Sequence, residues 1–259
     1  HFRGYTKLKD EITREKPDSR EQLDYMPEYK AIPLDQIPKD QPWLRIQGPN
    51  QWPESIPDLK PILLELQRQK VALAKVLLTA FAESLGQSPD VFAHTYSTSP
   101  SVLCKAIHYP GTEQAEQGVG AHKDGGYLTL LLQDEHSGLE VLKGDEWVPA
   151  TPIKGTFIVN IGELLENASQ GYLKVTQHRV TTPAVGIDRS SLAFFLTSQL
   201  NATVPLLELP AHLQPNNFAI TKDPKNPLFT EIGKNFLKGR LRSHPDVAVA
   251  HYSDLPQLA

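Results

Sequence analysis

Two residues with metal-binding side chains, His122 and Asp124, stand two positions apart in the segment GVGAHKDGG. At the start of a strand, side chains two residues apart point to the same face, so an imidazole and a carboxylate could reach one metal ion. His178, in the segment KVTQHRV, is the candidate third ligand. Two histidines and one carboxylate that leave coordination positions open are the ligand set of non-haem Fe(II) oxygenases. We therefore predict an iron site at these three residues.

A second His-x-Asp pair, His244 and Asp246, serves as an internal comparison. No apolar strand pattern surrounds it, and His251 is the one histidine that follows it in the sequence. A triad with a distant third ligand is not available there. We therefore predict that His244 is a surface or loop residue.

A possible anion-binding pair follows the third candidate ligand. Arg189 and Ser191 form the one Arg-x-Ser of the chain, and they precede the apolar run 192–196. On a strand their side chains share a face, and a guanidinium beside a hydroxyl suits a carboxylate. A charge next to a buried run usually has a partner. The pattern thus predicts a carboxylate site one strand beyond His178.

These residues must be positioned by short strands. Apolar and β-branched stretches separated by Gly, Pro, Asn and Asp occur at 101–109, 127–133, 139–142, 156–161, 174–180 and 191–197. Many short strands at close spacing favour a sandwich or barrel over a doubly wound sheet. We therefore predict a mainly β protein with flanking helices.

One long helix is predicted upstream of the strands, from Pro57 or Pro61 to Gly86. Proline is tolerated in a first helical turn, and glycine commonly follows a last one. Apolar residues at helical spacing predict one stripe against the core: Leu59, Leu63, Leu66, Leu73, Leu77, Phe81 and Leu85. The proline-rich stretches 29–61 and 205–227 predict irregular connections.

Composition and charge limit the classes of partner. The 259 residues include 26 Lys+Arg and 30 Asp+Glu, a net charge of −4. This balance gives no electrostatic reason to expect nucleic acid or an anionic membrane surface. The densest basic run is predicted to be a solvated helix face: Lys234, Lys238, Arg240 and Arg242.

The single cysteine, Cys104, excludes an intramolecular disulfide and lies in an apolar run. We predict a buried structural thiol, and a reducing, cytoplasmic location fits this cysteine content. No apolar stretch is long enough to span a bilayer.

Taken in order and spacing, HKD at 122–124, HRV at 178–180 and RSS at 189–191 resemble the 2-oxoglutarate/Fe(II)-dependent dioxygenases of the isopenicillin N synthase-like family. Further matching segments extend the resemblance over nearly the whole chain: RGY at 3–5, GPNQWP at 48–53, HYP at 108–110, GLEVL at 138–142, WVP at 147–149 and VNIG at 159–162. Glu163 departs from a common aspartate, and SQG at 169–171 departs from Thr-Asn-Gly. The plant-type run Asn-Tyr-Tyr-Pro-Pro-Cys is absent, which argues against a plant hormone or flavonoid enzyme.

The resemblance implies a double-stranded β-helix, which is a distorted jelly roll. Residues 99–205 are then expected to form the catalytic core. Residues 1–98 would be an irregular and helical region packed on that core, without the segment that usually precedes it in the family. Residues 206–259 would be a C-terminal loop and helix region of the same domain.

The resemblance also implies the site. Fe(II) would bind the predicted triad, and the distal carboxylate of the co-substrate 2-oxoglutarate would pair with Arg189 and Ser191, with a hydrogen bond from Tyr109. With O₂, the co-substrate would be decarboxylated to succinate while a small-molecule substrate is hydroxylated, desaturated or cyclised. Phe195 is a candidate wall of the substrate pocket and an equal candidate for plain core.

Two alternatives remain open at this point. The same family includes Fe(II) oxidases that do not use 2-oxoglutarate and also keep an Arg-x-Ser, and a catalytically silent binding protein could share the fold. Neither a G-x-S-x-G motif nor a glycine-rich phosphate motif occurs, which argues against a hydrolase and a nucleotide-binding enzyme. The sequence does not define the substrate or the oligomeric state.

Overall fold

The computed structural model describes residues 1–96, 101–214 and 226–255, and two facing antiparallel sheets dominate it. The described strands are β1 (Gly4–Thr6), β2 (Ile12–Thr13), β3 (Lys16–Pro17), β4 (Glu21–Tyr25), β5 (Val102–Tyr109), β6 (Gln117–His122), β7 (Leu128–Gln133), β8 (Leu139–Lys143), β9 (Glu146–Pro149), β10 (Ile158–Ile161), β11 (His178–Thr181) and β12 (Arg189–Leu196). The larger sheet has the order β1-β4-β5-β12-β7-β10, the smaller one β6-β11-β8-β9, and β2 and β3 form a separate hairpin.

The described helices lie outside the two sheets. They are α1 (Leu59–Ser84), α2 (Glu163–Ala168), α3 (Ile232–Ser243) and α4 (Pro245–His251), with short 3₁₀ helices at Leu34–Gln36, Pro42–Ile46, Ala93–Thr95 and Ala211–Leu213. None of the helices in the described ranges is both long and apolar enough to cross a lipid bilayer.

The two faces of β12 divide the interior of the protein. Because side chains alternate along a strand, Ala193 packs with Val119 and Val180 of the smaller sheet, whereas Phe194 packs with Leu78 of α1. The space between the sheets is therefore lined by the face of β12 that carries Arg189, Ser191, Ala193 and Phe195. The candidate site lies on this inner side.

Strands occur at all six predicted positions, although the one predicted at 174–180 begins only at His178, and the prediction missed strands outside the apolar runs. In particular, residues 1–98 are not only irregular and helical, because β1 and β4 extend the larger sheet. Strand β4 pairs with β5 so that Asp24 lies opposite Lys105, and the two side chains form a buried ion pair at 3.2 Å. A strand whose inner face carries paired charges has no apolar alternation to reveal it.

Helix α1 has the predicted extent, but its buried face differs from the predicted stripe. Leu73 is 39% exposed, and the buried positions include the polar residues Gln67 and Lys70. Gln67 Nε2 donates to Cys104 Sγ at 3.5 Å, and Lys70 Nζ donates to the Leu192 carbonyl at 3.4 Å. These contacts allow two polar residues to occupy the packed face. Cys104 is buried as predicted, and burial raises the pKa of its thiol to about 11.

The basic run on α3 is only in part the solvated face that we predicted, because Arg242 is exposed and Lys234 is partly exposed but the other two cations are not. Lys238 and Arg240 are both buried. Lys238 Nζ donates to the Pro227 carbonyl, and Arg240 Nη2 donates to Asp24 Oδ2 of β4 at 2.6 Å. The two cations therefore attach α3 to the body of the protein. The predicted irregular stretch 205–227 lies partly outside the described residues.

Candidate metal centre

The structure brings His122, Asp124 and His178 together. His122 ends β6 and pairs in register with His178, which begins β11. Nε2 of His122 lies 3.6 Å, and Nε2 of His178 3.5 Å, from Oδ1 of Asp124. One ligand atom from each residue lies within 4.8 Å of the others, a spacing that a single metal ion can bridge. We predicted that Asp124 shares a strand with His122, but it lies in the loop that follows β6.

Both imidazoles are oriented by backbone carbonyls two residues earlier in the chain. His122 Nδ1 lies 2.8 Å from the Gly120 oxygen, and His178 Nδ1 lies 3.1 Å from the Thr176 oxygen. Because a carbonyl only accepts hydrogen bonds, each Nδ1 carries a proton, so Nε2 is the atom that offers a lone pair when the ring is neutral. Both Nε2 atoms lie on the side of Asp124, and this is the tautomer that metal binding needs.

The charges of the three groups also suit a cation. Burial, together with the nearby His178, lowers the pKa of His122 to about 4. Burial opposes ionisation of Asp124, but the charge and hydrogen bond of His178 outweigh it, so the pKa of this carboxyl is lowered. The pKa of His178 is raised, because burial lowers it but the charge and hydrogen bond of Asp124 together raise it more. At neutral pH the site thus holds a carboxylate and a neutral His122, and metal ligands must be deprotonated in this way.

Asp124 has two further partners, one at its carboxylate and one at its backbone carbonyl, that the sequence did not reveal. Asn160 Nδ2, on β10, donates to Asp124 Oδ2 at 3.3 Å, and the Glu163 N–H at the start of α2 donates to the Asp124 carbonyl at 2.8 Å. Outer-shell contacts of this kind fix the orientation of a ligand. For Asn160 the sequence did contain a signal, because this residue lies in the matching segment VNIG at 159–162, to which we assigned no role.

Arg189 is fully buried on the inner face of β12. Its Nε donates to the His136 carbonyl at 3.2 Å and its Nη2 to Gln133 Oε1 at 2.7 Å. Nη1 is buried and has no hydrogen-bond partner among the described residues. A Cβ on Gly138 would lie 3.2 Å from Arg189 Cδ, so a glycine allows this close approach. A buried cation with an unmatched N–H is suited to an anionic ligand.

The other predicted site residues lie on the same inner face. Tyr109 pairs with Arg189 across β5 and β12, and both Tyr109 and Ser191 are buried. Phe195 lies opposite Thr129 of β7 and packs partly buried against apolar residues of the interior. The carboxylate-binding candidates are thus grouped, and Phe195 lies further along the same strand.

His244, which we predicted to be a surface or loop residue, lies in the short connection between α3 and α4 but not at the surface. It is 6% exposed, its ring lies 5.8 Å from that of Phe2, and its Nε2 accepts from Arg240 Nη2 at 3.2 Å. Its burial is explained by the packing against Phe2 and by the neutral imidazole, which accepts the hydrogen bond from Arg240. Within residues 1–96, 101–214 and 226–255, the triad is the one group of three or more His, Cys, Asp or Glu residues with metal-ligand spacing.

Comparison with known proteins gives a consistent result. The sequence profile of the 2OG-Fe(II) oxygenase superfamily matches residues 98–198. A 2-oxoglutarate-dependent dioxygenase from Dothideomycetidae sp. is 31% identical over 95% of this chain and 71% of its own length. A homoarginine-6-hydroxylase from Arabidopsis thaliana is 33% identical over 80% of this chain, which spans 63% of that protein.

A solved structure supports the architecture. A 2OG-Fe(II) oxygenase family protein from Caulobacter crescentus superposes with a TM-score of 0.70 at 27% identity. The match covers 93% of this chain and 75% of the other. The predicted double-stranded β-helix is thereby confirmed.

Proposed function

The chain belongs to the 2OG-Fe(II) oxygenase superfamily, and we propose that it oxidises a small molecule at an Fe(II) ion held by His122, Asp124 and His178. In this proposal 2-oxoglutarate is the co-substrate, and its distal carboxylate binds Arg189 with support from Ser191 and Tyr109. The cofactor set that we predicted from the sequence, Fe(II) with 2-oxoglutarate and O₂, agrees with the family.

The observation that carries the proposal is the fit between the donor atoms and these two groups. Two imidazole nitrogens and a carboxylate oxygen face one another within 4.8 Å, and this is the ligand set that Fe(II) oxygenases use. On the same inner side, the buried Arg189 has an unmatched Nη1, which is the donor that a carboxylate would satisfy. A cation-binding and an anion-binding group thus occur on the inner side of the two sheets.

The residues of the chain would bind, orient and protect the reactants. When bound, iron and 2-oxoglutarate supply the oxidising power: the co-substrate loses carbon dioxide and becomes succinate, and O₂ provides the oxygen atoms. The carbonyls of Gly120 and Thr176 keep both imidazoles in the ligand tautomer. Asn160 holds the oxygen of Asp124 that does not face the histidines. The apolar inner face formed by residues such as Ile107 and Ala193 excludes water from the oxidation.

One experiment tests this function. The purified protein is incubated with Fe(II), 2-oxoglutarate and a panel of small molecules, and succinate release and product masses are measured. Homoarginine belongs in the panel because one relative is a homoarginine-6-hydroxylase. Succinate released in proportion to an oxidised product supports the proposal. Oxygen uptake without 2-oxoglutarate would favour the oxidase alternative, and iron binding without turnover of any compound would favour a binding protein.

A further inference from the structure

We infer that Asp18 is a positioning residue for the metal site, because its buried carboxylate holds the backbone segment that aims His122. The inference rests on the proposed role of His122 as an iron ligand. Asp18 belongs to the connection between β3 and β4, 102 positions before the backbone group that it contacts.

The backbone just before His122 contains a β-bulge. His122 pairs with His178 and Val119 pairs with Val180, so two residues of β6, Gly120 and Ala121, face one residue of β11. A bulge disrupts the hydrogen-bond ladder, bends its strand and re-aims the neighbouring side chain. The direction of the His122 imidazole therefore depends on what fixes the bulge.

Asp18 supplies the contacts that fix it. One carboxylate oxygen, Oδ1, accepts from the Gly120 N–H at 3.1 Å and from Gln117 Nε2 at 2.9 Å, so it is bonded to β6 twice. The other, Oδ2, accepts from Thr13 Oγ1 at 2.7 Å and from Arg20 Nη2 at 3.2 Å. The side chain is 0% exposed. A buried carboxylate with four donors is held in one place and can in turn hold Gly120.

Gly120 connects Asp18 to the ligand. Its N–H is bound by Asp18, and its carbonyl accepts from His122 Nδ1 at 2.8 Å. A Cβ at this position would lie 2.8 Å from Thr13 Cγ2, so the close approach of the β2–β3 hairpin requires glycine. Glycine has wide conformational freedom, and without the bond to Asp18 its carbonyl would be free to turn. The hydrogen bond that orients the imidazole would then be lost or weakened.

A purely structural role for Asp18 makes a different prediction, and a neighbouring carboxylate provides the matched control. Glu11 is also buried and precedes the same hairpin, but its carboxylate binds Arg20 at 2.8 Å and Lys105 at 3.0 Å rather than the β6 backbone. Neutralising either carboxylate should lower stability. Only neutralising Asp18 should change the metal site.

The test measures the affinity for Fe(II) alone, by anaerobic calorimetry, beside the unfolding temperature of each protein. We expect Asp18→Ala to weaken Fe(II) binding about tenfold or more, in the range typical of outer-shell partners, and Asp18→Asn to weaken it less. Glu11→Gln should lower the unfolding temperature with unchanged Fe(II) affinity. If Asp18→Ala does not fold, the Fe(II) affinity of Glu11→Gln is compared instead with that of Asp18→Asn and of Gly120→Ala. The Gly120→Ala substitution displaces the β2–β3 hairpin.

Two results would overturn the inference: Fe(II) affinity that is unchanged in the folded Asp18 variants, or a loss that is equally large in Glu11→Gln. His122→Ala is measured in the same series. Unchanged affinity in His122→Ala would instead remove the proposed ligand role, so the two failures are distinguishable.

Discussion

The guanidinium carbon of Arg189 lies 4.8 Å from the centre of the Tyr109 ring, on the neighbouring strand of the larger sheet. This cation–π contact adds to the hydrogen bonds that Arg189 makes with the His136 carbonyl and the Gln133 side chain. The guanidinium is therefore held in one orientation before any ligand arrives. Its unmatched Nη1 is a prepared donor, and preorganisation of this kind favours binding of a carboxylate.

Arg189→Ala should weaken 2-oxoglutarate binding far more than it disturbs iron binding. A charge-assisted hydrogen bond contributes about 1.5–3 kcal/mol. At about 1.4 kcal/mol per tenfold, the expected loss is roughly tenfold to a few hundredfold. Arg189→Lys should recover only part of it because lysine lacks the fork, and Ser191→Ala should lose less. The affinity is measured by anaerobic titration of the Fe(II) protein with 2-oxoglutarate, in which the visible absorption band of the complex reports binding. Equal affinity in wild type and Arg189→Ala would show that the arginine has another role.

Removing any one ligand of the triad should abolish tight iron binding while the fold survives. We expect His122→Ala, Asp124→Ala and His178→Ala each to reduce Fe(II) affinity by more than the roughly 10–100-fold typical of outer-shell changes. His212→Ala, at an exposed position on a 3₁₀ helix, is the matched control and should bind iron as wild type does. Metal content after dialysis and circular dichroism separate metal loss from unfolding. Full iron content in any of the three variants would contradict the assignment.

Much of the fold could be predicted from the sequence because the central strands are apolar. Strands β5, β7 and β12 contribute Val102, Leu130 and Phe194 to the core, and such runs are visible without a structure. Strand β4 was missed because its inner face carries Gln22 and Asp24, and Arg240, which pairs with the buried Asp24, comes from a distant segment. The comparisons confirmed the predicted family, its fold and its cofactors.

The site could be predicted only in part, because its candidate ligands follow local sequence patterns and the residues that support them do not. The spacing of His122 and Asp124 and the Arg-x-Ser at 189–191 are local patterns that identify candidate ligands. Their supports are not local: Asn160 reaches Asp124 from another strand, and Asp18 reaches Gly120 from the N-terminal region. A single sequence contains no signal for hydrogen bonds between segments so far apart. The same holds for His244, whose burial depends on Phe2.

The ion pair between Arg240 of α3 and Asp24 of β4 should be important for stability. Both side chains are buried and their atoms lie 2.6 Å apart. Removing Arg240 leaves Lys105, at 3.2 Å, as the remaining cation beside Asp24, so the interaction that is lost is one charge-assisted hydrogen bond. Arg240→Ala should lower the free energy of unfolding by about 1.5–3 kcal/mol. Arg242→Ala, on the exposed side of the same helix, should change it by no more than about 0.5 kcal/mol. Urea unfolding measures both. Similar small changes in the two variants would mean that α3 is held by its apolar contacts.

His244 should make the stability of the protein depend on pH. Burial and the charge of Arg240 lower the pKa of His244 to about 3, against an ordinary value of 6.5, while Glu11 acts in the opposite direction. Lys105 also lowers it and Asp246 raises it. Between pH 6.5 and 3 the unfolded chain therefore binds a proton at this residue that the folded protein does not bind. Stability then falls as pH decreases below 6.5, by up to about 1.4 kcal/mol per pH unit.

A comparison of variants isolates this contribution from that of the carboxylates, which titrate in every variant. Urea unfolding is measured from pH 7 to pH 4.5 for wild type, His244→Gln and His251→Gln, where His251 is an exposed residue of α4. At pH 7 His244→Gln should be less stable, because the ring packs against Phe2 and accepts from Arg240. This deficit should shrink as the pH is lowered, since only the wild type loses stability through His244. His251→Gln should follow wild type throughout. A deficit in His244→Gln that stays constant over the whole pH range would show that His244 is protonated alike in the folded and unfolded protein.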